Sequence, residues 1–537
     1  LMRRSVSGAA ALRWLASAPA VALAGVAHTL SFSPFEGWWL QLLALGVLAH
    51  ATMNAAPRRA AWLGWLFAVG WLVSGFWWLY VSMHDYGGMN PVLAAVAVLV
   101  LAALLGLYYA AAMGAWARLR TGGPGWDALL WPVCWMLAEL ARGMVFTGFP
   151  WIASGYAHAV GPLAAWAPWV GVYGLCLWAA AVAHAGARWL QPGPLRQRAQ
   201  LSVAVFSMAL AALALPDRFT QSVGPLRVSL LQPNVAQDLK FDPNRLETQL
   251  SGLVRQLSEA RGQLVVTPES VLPVARSQLG EGYWQALQAT LRPPSGDDTA
   301  VRAALIGIFV GDDESGYVNS VVALSSPVAA EPHAASPGPN AAEYRYGKRH
   351  LLPFGEIIPP GFHWFVDLMK IPLADQARGR TTEAFAFAGQ RLRPLVCYED
   401  LFGEDIVSSV VGPQAATVFV NVSNLAWFGR WLVQDQHLQF SQMRAIEFQR
   451  PVIRSTNTGA TAVVDHRGRV IARMPPLTTG ILEATVEGRT GATPYARWLS
   501  AFGLWPWVAA GLAVMGAAAW RGPAPHRPPR QAAAPRP

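Results

Sequence analysis

The chain is poor in charged residues and in cysteine. Of its 537 residues only 13% are Asp, Glu, Lys or Arg, whereas 53% are hydrophobic, a balance far from that of an ordinary soluble protein. Three cysteines cannot form a disulfide framework. Cys134 and Cys176 lie within apolar stretches, which leaves Cys397 alone in the more polar middle of the chain. The composition therefore predicts a membrane protein, and its length is too great for one simple domain.

Positive charge is missing from the region where a nucleic-acid surface would need it. The formal charge of +10 divides into +7 for residues 1–218, −2 for 219–496 and +5 for 497–537. The basic residues thus belong to the hydrophobic segments and their flanks, where arginine anchors helices at an anionic membrane face. A nucleic-acid partner is not expected.

Long apolar runs are abundant. Runs of roughly 17 to 25 residues can cross a hydrocarbon core of about 30 Å as helices, and we expect about eight transmembrane helices. The candidates are 12–30, 38–53, 61–83, 91–117, 126–141, 162–187, 201–215 and 498–519. The first run, which Arg3 and Arg4 precede, could also be a signal peptide, but the runs that follow it favour a retained helix.

These runs divide the chain into four parts. We expect about seven transmembrane helices in 1–218, a catalytic domain in 219–496, one further helix in 497–520 and a disordered cytoplasmic tail in 521–537. With the N-terminus inside, the inner segments contain fourteen arginines and the outer junctions only Arg142, Arg218 and Arg497. Cytoplasmic loops hold the excess of basic residues. The pattern predicts a multi-pass protein of the bacterial inner membrane whose catalytic domain faces the periplasm.

The middle segment has a different pattern. Short β-rich apolar runs alternate with polar stretches that are compatible with helices; the runs are 226–232, 263–267, 303–310, 318–324, 392–397 and 417–422. Nearly continuous apolar strands suit a sheet that is covered on both faces. The segment is therefore predicted to be an α/β domain.

Three polar residues of this domain could carry chemistry. Glu269 and Cys397 each end a strand-like run, where a side chain can emerge at a sheet edge. A partly desolvated carboxylate could act as a general base and a cysteine as a nucleophile, although a free cysteine is more often a small buried hydrophobe and the glutamate could equally be a capping or surface residue. Lys348 could lower the thiol pKa or stabilise an oxyanion, but alone it is typical of a solvated charge.

The three residues, spaced 79 and then 49 positions apart, resemble the Glu-Lys-Cys triad of the nitrilase superfamily, which lies at the strand ends of an α-β-β-α sandwich. Further stretches are similar to motifs of the apolipoprotein N-acyltransferase family, the membrane-embedded branch of that superfamily. They are 139–151 (Glu-Leu-Ala-Arg-Gly-Met-Val-Phe-Thr-Gly-Phe-Pro-Trp), 267–270, 348–356, 397–399, 426–429 and 454–459. The resemblance covers nearly the whole chain.

The resemblance implies that Glu269 is the general base, Lys348 the oxyanion stabiliser and Cys397 the nucleophile. It implies substrate-binding roles for four further residues, Glu356, Tyr398, Glu399 and Trp427. The implied reaction moves a fatty acyl chain from a phospholipid, expected to be phosphatidylethanolamine, through a thioester to the α-amine of the S-diacylglyceryl cysteine of an apolipoprotein. It needs neither a metal nor another cofactor.

Two departures from the family and two alternative functions remain. Leu425 stands where family members often have Asp, and Phe241 where a Trp is common, which puts details of substrate contact in doubt.

A membrane-tethered nitrilase-type amidase would use the same triad with water in place of the amine. A transporter or lipid-binding protein with a degenerate head is disfavoured because the triad is intact. The aromatic-rich loop 147–158 is expected to form part of the mouth toward the bilayer.

Overall fold

The computed structural model describes residues 12–292, 302–312, 314, 316–325, 344–358 and 376–522. Its longer helices are α1 Ala18–His28, α2 Trp38–Thr52, α3 Pro57–Phe76, α4 Pro91–Leu119, α5 Pro124–Met144, α6 Ala167–Ala187, α7 Leu195–Ala211, α8 Leu246–Glu259, α9 Glu281–Ala289, α10 Val433–Phe448, α11 Pro494–Phe502 and α12 Trp505–Arg521. Its strands are β1 Thr220–Gln232, β2 Leu264–Val266, β3 Ala303–Asp312, β4 Gly316–Ser325, β5 Arg345–Gly347, β6 Phe385–Phe387, β7 Gln390–Val396, β8 Val418–Ser423, β9 Val452–Thr456, β10 Ala462–Val464, β11 Val470–Arg473 and β12 Gly480–Gly491. The predicted tail lies outside the described residues from 523 onward.

The N-terminal part is a group of apolar helices. In five of them, α1 and α3 to α6, proline occupies one of the first two positions, where its missing N–H costs no helical hydrogen bond and its φ is already helical. Within the described residues five helices, α3 to α7 with their flanking turns, are long and apolar enough to cross a membrane, whereas α1 and α2 are shorter. The prediction of several long apolar helices is confirmed.

The C-terminal apolar run predicted to form one helix over 498–519 is bent into two helices. Helices α11 and α12 meet at an angle of 82°. Gly503, between them, has a φ of +59°, a left-handed conformation that glycine adopts without a Cβ clash. Helix α11 is amphipathic and buries Tyr495, Ala496 and Leu499, whereas α12 packs against α5, with Gly511 close to Leu137.

The middle segment forms two six-stranded sheets. The strand orders are β12-β1-β2-β3-β4-β5 and β11-β10-β9-β8-β7-β6. Parallel pairs occupy the centre, β1 with β2 and β3 in one sheet and β7, β8 and β9 in the other, and antiparallel strands flank them. All six strand-like runs of the sequence lie within or overlap these strands, which confirms the α/β prediction.

The two sheets pack face to face with helices outside them. Side chains such as Val228, Val266 and Val420 fill the space between the sheets. Helices α8 and α9 cover the outer face of the first sheet, and α10 covers that of the second, together with the membrane helices. The layers are those of the α-β-β-α sandwich that the resemblance implies, with one helical layer lying against the membrane part.

Helix α10 contains many polar residues, yet all of its residues except Asp435 are buried. Buried polar groups are stable only when they are hydrogen-bonded, and Gln436 illustrates how this is achieved. Its Oε1 accepts from Trp78 Nε1 at 3.2 Å and from Trp151 Nε1 at 2.8 Å, and its Nε2 donates to the Gly75 carbonyl at 2.9 Å. The α/β domain is thus joined to the helical part by directional bonds as well as by apolar contact.

The loop 147–158 is part of this junction, and the expectation that it lines an open mouth is not met. Residues 151–158 are buried. Tyr156 donates its hydroxyl proton to the Leu401 carbonyl at 3.0 Å, and Trp151 stacks on His437 with ring centroids 5.7 Å apart. The aromatic residues of this loop therefore hold the two parts together. An exposed apolar side chain, that of Phe146, lies just before the loop.

Candidate active site

Cys397 lies at a sharp turn directly after β7. Its φ is +53°, a left-handed conformation that is costly for a residue with a Cβ and that persists where the surroundings hold it. The Cys397 carbonyl accepts a hydrogen bond from Asn421 Nδ2 at 3.1 Å and another from His437 Nε2 at 3.2 Å. The side chain is partly exposed, whereas Cys134 and Cys176 are buried. The turn thus presents the thiol at the carboxyl end of a parallel strand, where sites commonly form in α/β folds.

Glu399 holds this turn in place. Its carboxylate accepts from the hydroxyl of Tyr346 at 2.8 Å and from the backbone N–H groups of Val396 at 2.8 Å, Arg349 at 2.7 Å and His350 at 3.2 Å. Because the side chain is buried and its oxygens are occupied by these donors, the geometry favours a positioning role over contact with substrate.

Glu269 projects from the chain just after β2 and meets the residues that follow β8. Its Oε1 accepts from Asn319 Nδ2 at 2.7 Å, and its Oε2 accepts from the backbone N–H of Asn424 at 2.8 Å. The residue is 7% exposed. The two donors fix the carboxylate between the two sheets at their shared edge.

Lys348 follows β5 and points into the same space. Its Nζ lies 2.7 Å from Glu356 Oε1 and 3.5 Å from Glu269 Oε1. Glu356 is anchored in turn, because its Oε2 accepts from the Leu352 N–H at 2.8 Å. The structure therefore brings Glu269, Lys348 and Glu356 into one buried cluster.

The charges of this cluster act on the Cys397 thiol. Burial raises the pKa of Cys397 well above its ordinary value and the Glu269 carboxylate raises it further, while Lys348 opposes both. Burial lowers the pKa of Lys348, but Glu356 and Glu269 more than offset this and raise it. At rest the thiol is therefore neutral and the ammonium charged. Transfer of the thiol proton to Glu269 keeps the net charge of the cluster and leaves the thiolate beside a cation.

The other two predicted binding residues lie farther out. Tyr398 is buried and donates to the Gly148 carbonyl at 2.9 Å, so it contacts the helical part. Trp427 is 38% exposed and packs edge to face on Tyr86, with ring centroids 6.0 Å apart. Of the two departures from the family, Leu425 is buried and Phe241 is half exposed.

A buried polar network behind Cys397 is not evident from the sequence. Arg454 donates to His437 Nδ1, to Ser441 Oγ and to Asp400 Oδ2. A guanidinium cannot accept hydrogen bonds, so His437 Nδ1 must be the acceptor and its proton is on Nε2. That proton is donated to the Cys397 carbonyl, with Asp400 Oδ1 3.3 Å away. Burial lowers the pKa of His437, in agreement with a neutral ring. The only signal of this network in the sequence is a histidine within a stretch rich in polar residues.

Removing the His437 donor should slow the reaction of Cys397. For His437→Phe we expect the rate of acyl-enzyme formation to fall about fivefold with an unchanged KM for the donor, because one hydrogen bond that holds the strained turn, worth about 1 kcal/mol, is lost. His437→Gln places an amide N–H at a similar reach and should recover most of the rate. Single-turnover kinetics measure both. Equal loss in the two variants would mean that packing, and not the donor, matters.

Lys240 is a second residue that the sequence did not single out. Its Nζ donates to Ser270 Oγ at 2.9 Å and to the Glu269 carbonyl at 3.3 Å. Burial lowers its pKa to about 8, although the Glu269 charge opposes this. Its hydrogen bond to the Glu269 carbonyl steadies the backbone at Glu269.

The lowered pKa of Lys240 predicts a pH dependence of stability. Between pH about 8 and 10.5 the unfolded chain binds more protons at this site than the folded chain does, so the free energy of unfolding should rise with pH, by up to about 3 kcal/mol. In Lys240→Met this contribution is absent. Melting curves in detergent from pH 7 to 10.5 should diverge accordingly, while Arg245→Met, at an exposed site, should parallel the parent; parallel curves for Lys240→Met would contradict the prediction.

Among the described residues no group of three or more His, Cys, Asp or Glu side chains is arranged to hold a metal ion. What the arrangement can do is acid–base and nucleophilic chemistry: a carboxylate to take a proton, a thiol to attack, and an ammonium to stabilise developing negative charge.

Two family descriptions match the chain. Residues 24–185 match "Apolipoprotein N-acyltransferase N-terminal domain" and residues 227–495 match "Carbon-nitrogen hydrolase". The boundary between the matches lies close to the beginning of β1, where the helical part ends.

Curated proteins named apolipoprotein N-acyltransferase are similar to the chain over most of its length. The protein of Verminephrobacter eiseniae is 45% identical over 516 residues, covering 90% of this chain and 93% of its own. That of Ralstonia nicotianae is 43% identical, covering 90% of each chain, and that of Bordetella bronchiseptica is 41% identical, covering 95% and 98%. A solved CN-hydrolase superfamily protein from Xanthomonas campestris is 17% identical, covers 52% of this chain and 96% of its own, and has a TM-score of 0.35.

Proposed function

The chain belongs to the apolipoprotein N-acyltransferase family, a group of transferases with a carbon-nitrogen hydrolase domain, and on that premise we propose that Cys397 carries the acyl group. The observation that supports this most is the buried Glu269–Lys348–Glu356 cluster whose charges act on the thiol of Cys397. The acyl donor is a phospholipid, expected to be phosphatidylethanolamine, and the acceptor is the α-amine of an S-diacylglyceryl cysteine at the N-terminus of an apolipoprotein.

In the first half-reaction Glu269 takes the thiol proton as Cys397 Sγ attacks the ester carbonyl of the lipid. The C–S bond forms, and Lys348 stabilises the negative charge that develops on the carbonyl oxygen. The intermediate collapses with cleavage of the ester C–O bond. The leaving alkoxide takes the proton back from Glu269, so a lysophospholipid departs and a thioester remains.

In the second half-reaction the neutral amine of the acceptor attacks the thioester. Glu269 takes a proton from the nitrogen, the C–N bond forms and the C–S bond breaks, and the thiolate of Cys397 recovers the proton. The products are the amide and the free enzyme. Glu356 keeps Lys348 oriented through both steps, at the 2.7 Å separation of its Oε1 from the ammonium.

The helical part gives these lipids access to the site. Extracting an acyl chain into water would cost roughly 0.8 kcal/mol per CH₂, so a site that lies against membrane helices avoids that cost. Trp427 and Tyr86, one from each part, form the rim that the acyl chains pass. Tyr398 and Glu399 stabilise the walls of this access route. Tyr398 does so by its hydrogen bond to the Gly148 carbonyl of the helical part, and Glu399 by accepting a hydrogen bond from the Val396 N–H at the turn that carries Cys397.

We further propose a multi-pass location in the bacterial inner membrane with the catalytic domain on the periplasmic face. Five helices and the bent pair α11 and α12 suit a crossing. Helices α1 and α2, of 11 and 15 residues, reach only about 17 and 22 Å at 1.5 Å per residue. We propose that each of these two shorter helices crosses the membrane with the help of its flanking turns. Added to the five long helices and the bent pair, they give about eight crossings. The excess of arginine at the inner ends supports the orientation.

Intact-mass analysis tests the proposal. The purified full chain is incubated with phosphatidylethanolamine, and a mass increase of one acyl group that hydroxylamine removes is the expected result. A diacylated lipopeptide with a free amine should discharge the adduct into an amide. Release of free fatty acid at the same rate without the lipopeptide would favour the amidase alternative, and the lack of any adduct in a folded sample would contradict the proposal.

A further inference from the structure

A cavity of about 340 Å³ lies away from Cys397, where the helical part meets the catalytic domain. We call it the basic pocket and define it by its lining residues, Asp217, Arg218, Gln449, His466, Arg467 and Arg489. None of them belongs to the active-site cluster. They come from the link between α7 and β1, from the end of α10, from the β10–β11 turn and from β12.

The basic pocket lies at the level where candidate membrane helices end. The helical segment that contains α7 extends to Ala214, and Arg218 follows only four residues later. Phe219 packs edge to face on Trp169, in the first turn of α6, with ring centroids 5.3 Å apart. Tryptophan at a helix end is typical of the zone of lipid headgroups. If α6 and α7 cross the membrane as proposed, the pocket faces the headgroups of the outer leaflet.

Hydrogen bonds build the inner wall of the pocket. Gln449 Nε2 donates to the Asp217 carbonyl at 2.7 Å, and its Oε1 accepts from the Phe219 N–H at 3.0 Å. Arg489 is held by Thr220, because its Nε donates to the hydroxyl at 2.8 Å and its Nη2 to the carbonyl at 2.5 Å. The Arg489 guanidinium therefore has a fixed orientation before any ligand binds, which reduces the entropy that binding must cost.

The pocket carries more positive than negative charge. Three guanidinium groups line it against the carboxylate of Asp217, whose contact with Arg467 Nη2 at 3.4 Å is solvent-exposed and therefore weak. Within the described residues no hydrogen bond or ion pair involves the Arg218 side chain. Burial chiefly lowers the pKa of Arg489, and Arg467 lowers it further. The arginines are thus close enough to repel one another.

The acids nearest to the pocket do not neutralise it. Asp465 Oδ1 accepts from the backbone N–H groups of Arg467 and Arg469 within its own turn. Glu487 is exposed on β12 and opposes the lowering of the Arg489 pKa only in part. Burial lowers the pKa of His466, and Arg489 and Arg467 lower it too, so this ring is neutral near pH 7 and available for hydrogen bonding.

From these observations we propose that the basic pocket binds the phosphate group of an anionic phospholipid. Planar guanidinium groups match phosphate oxygens in charge and geometry, and the aromatic residues beside the pocket locate it at the bilayer surface. The bound lipid ties the β10–β11 turn and β12 to the membrane, and so keeps the catalytic domain seated on the helices. The inference rests on the proposed membrane crossing but not on the chemistry at Cys397.

Native mass spectrometry of the full chain in detergent tests the proposal, with phosphatidylglycerol, phosphatidylcholine and inorganic phosphate as separate probes. We expect the parent chain to retain one phosphatidylglycerol in preference to phosphatidylcholine. In the double variant Arg218→Gln, Arg467→Gln the affinity should fall roughly 30-fold, about fivefold for each charge removed near a lipid surface. The matched control is Arg245→Gln, Arg255→Gln, which removes two exposed charges in and beside α8 and should leave binding unchanged.

The other outcomes overturn the proposal. Equal retention of both lipids, or equal weakening in the two double variants, would mean unspecific charge attraction. Saturation by inorganic phosphate without retention of phosphatidylglycerol would make the pocket an ion site and not a lipid site. Adduct formation at Cys397 from phosphatidylethanolamine is measured in the same samples. We expect it to be unchanged in both double variants, and its absence would bear on the proposed catalysis alone.

Discussion

Cys397→Ala is expected to abolish the hydroxylamine-labile acyl adduct, and with it the transfer of the acyl chain to a lipopeptide amine. Loss of a nucleophile leaves only binding and electrostatic contributions, so the rate should fall by at least roughly a thousandfold. The substitution removes only the sulfur atom of Cys397, which is partly buried against the cores of the α/β domain, so the fold should persist. Intact mass and single-turnover rates measure the effect.

The chain supplies its own matched controls for this experiment. Cys134→Ala and Cys176→Ala remove thiols that are buried among the helices, and each should retain the adduct. An adduct that persists in Cys397→Ala but disappears in one of the controls would contradict the assignment of the nucleophile. Unchanged melting of Cys397→Ala, measured alongside, would show that its loss of activity does not come from unfolding.

Glu269→Gln is expected to lower the rate of adduct formation by about 10²- to 10⁴-fold, the range for removal of a general base. Glutamine has nearly the same shape, and its carbonyl oxygen can still accept one of the bonds from Asn319 and Asn424. Lys348 keeps its ion pair with Glu356. The main change is the loss of a negative charge and of the proton acceptor.

The same substitution should make the thiol more reactive toward a small alkylating agent. The Glu269 charge raises the pKa of Cys397, so its removal increases the thiolate fraction at a given pH, and iodoacetamide should react faster. Acylation and alkylation thus change in opposite directions. Slower alkylation in Glu269→Gln would contradict the electrostatic assignment. Glu247→Gln, in the first turn of α8, should alter neither rate.

Strand-end positions made Glu269 and Cys397 candidates, but the proposed roles of Glu269, Lys348 and Cys397 came from their resemblance to a known triad and not from position alone. Glu269 follows an apolar run stopped by Pro268, and Cys397 ends another; the structure places both at one edge of the paired sheets. Residues that support them were not recognisable. Lys240, Asn319 and His437 lie far apart in the chain and have ordinary neighbours, so their proximity to the site is a property of the packed sandwich.

Helix α10 shows why local pattern could not give the whole architecture. Its sequence mixes polar and apolar residues without the apolar stripe that marks a buried helix, yet all its residues except Asp435 are buried. The hydrogen bonds of Gln436 with Trp78, Trp151 and Gly75 satisfy the polar atoms of this one side chain. All three partners belong to the helical part. Likewise, the bend at Gly503 depends on the packing of α11 against the protein. The hydropathy of the sequence does not predict that packing.

By itself the sequence determined the division into apolar helices and an α/β domain, because both depend on patterns that neighbouring residues create: long apolar runs and short strand-like runs. It also determined which residue types could carry the chemistry. Only the tertiary structure decided how the two parts interlock, which buried donors hold Glu269 and Cys397, and that arginines from separate segments converge in a basic pocket. Such contacts join residues that are tens to hundreds of positions apart, and their energies depend on burial and on satisfied hydrogen bonds, which exist only in the packed molecule.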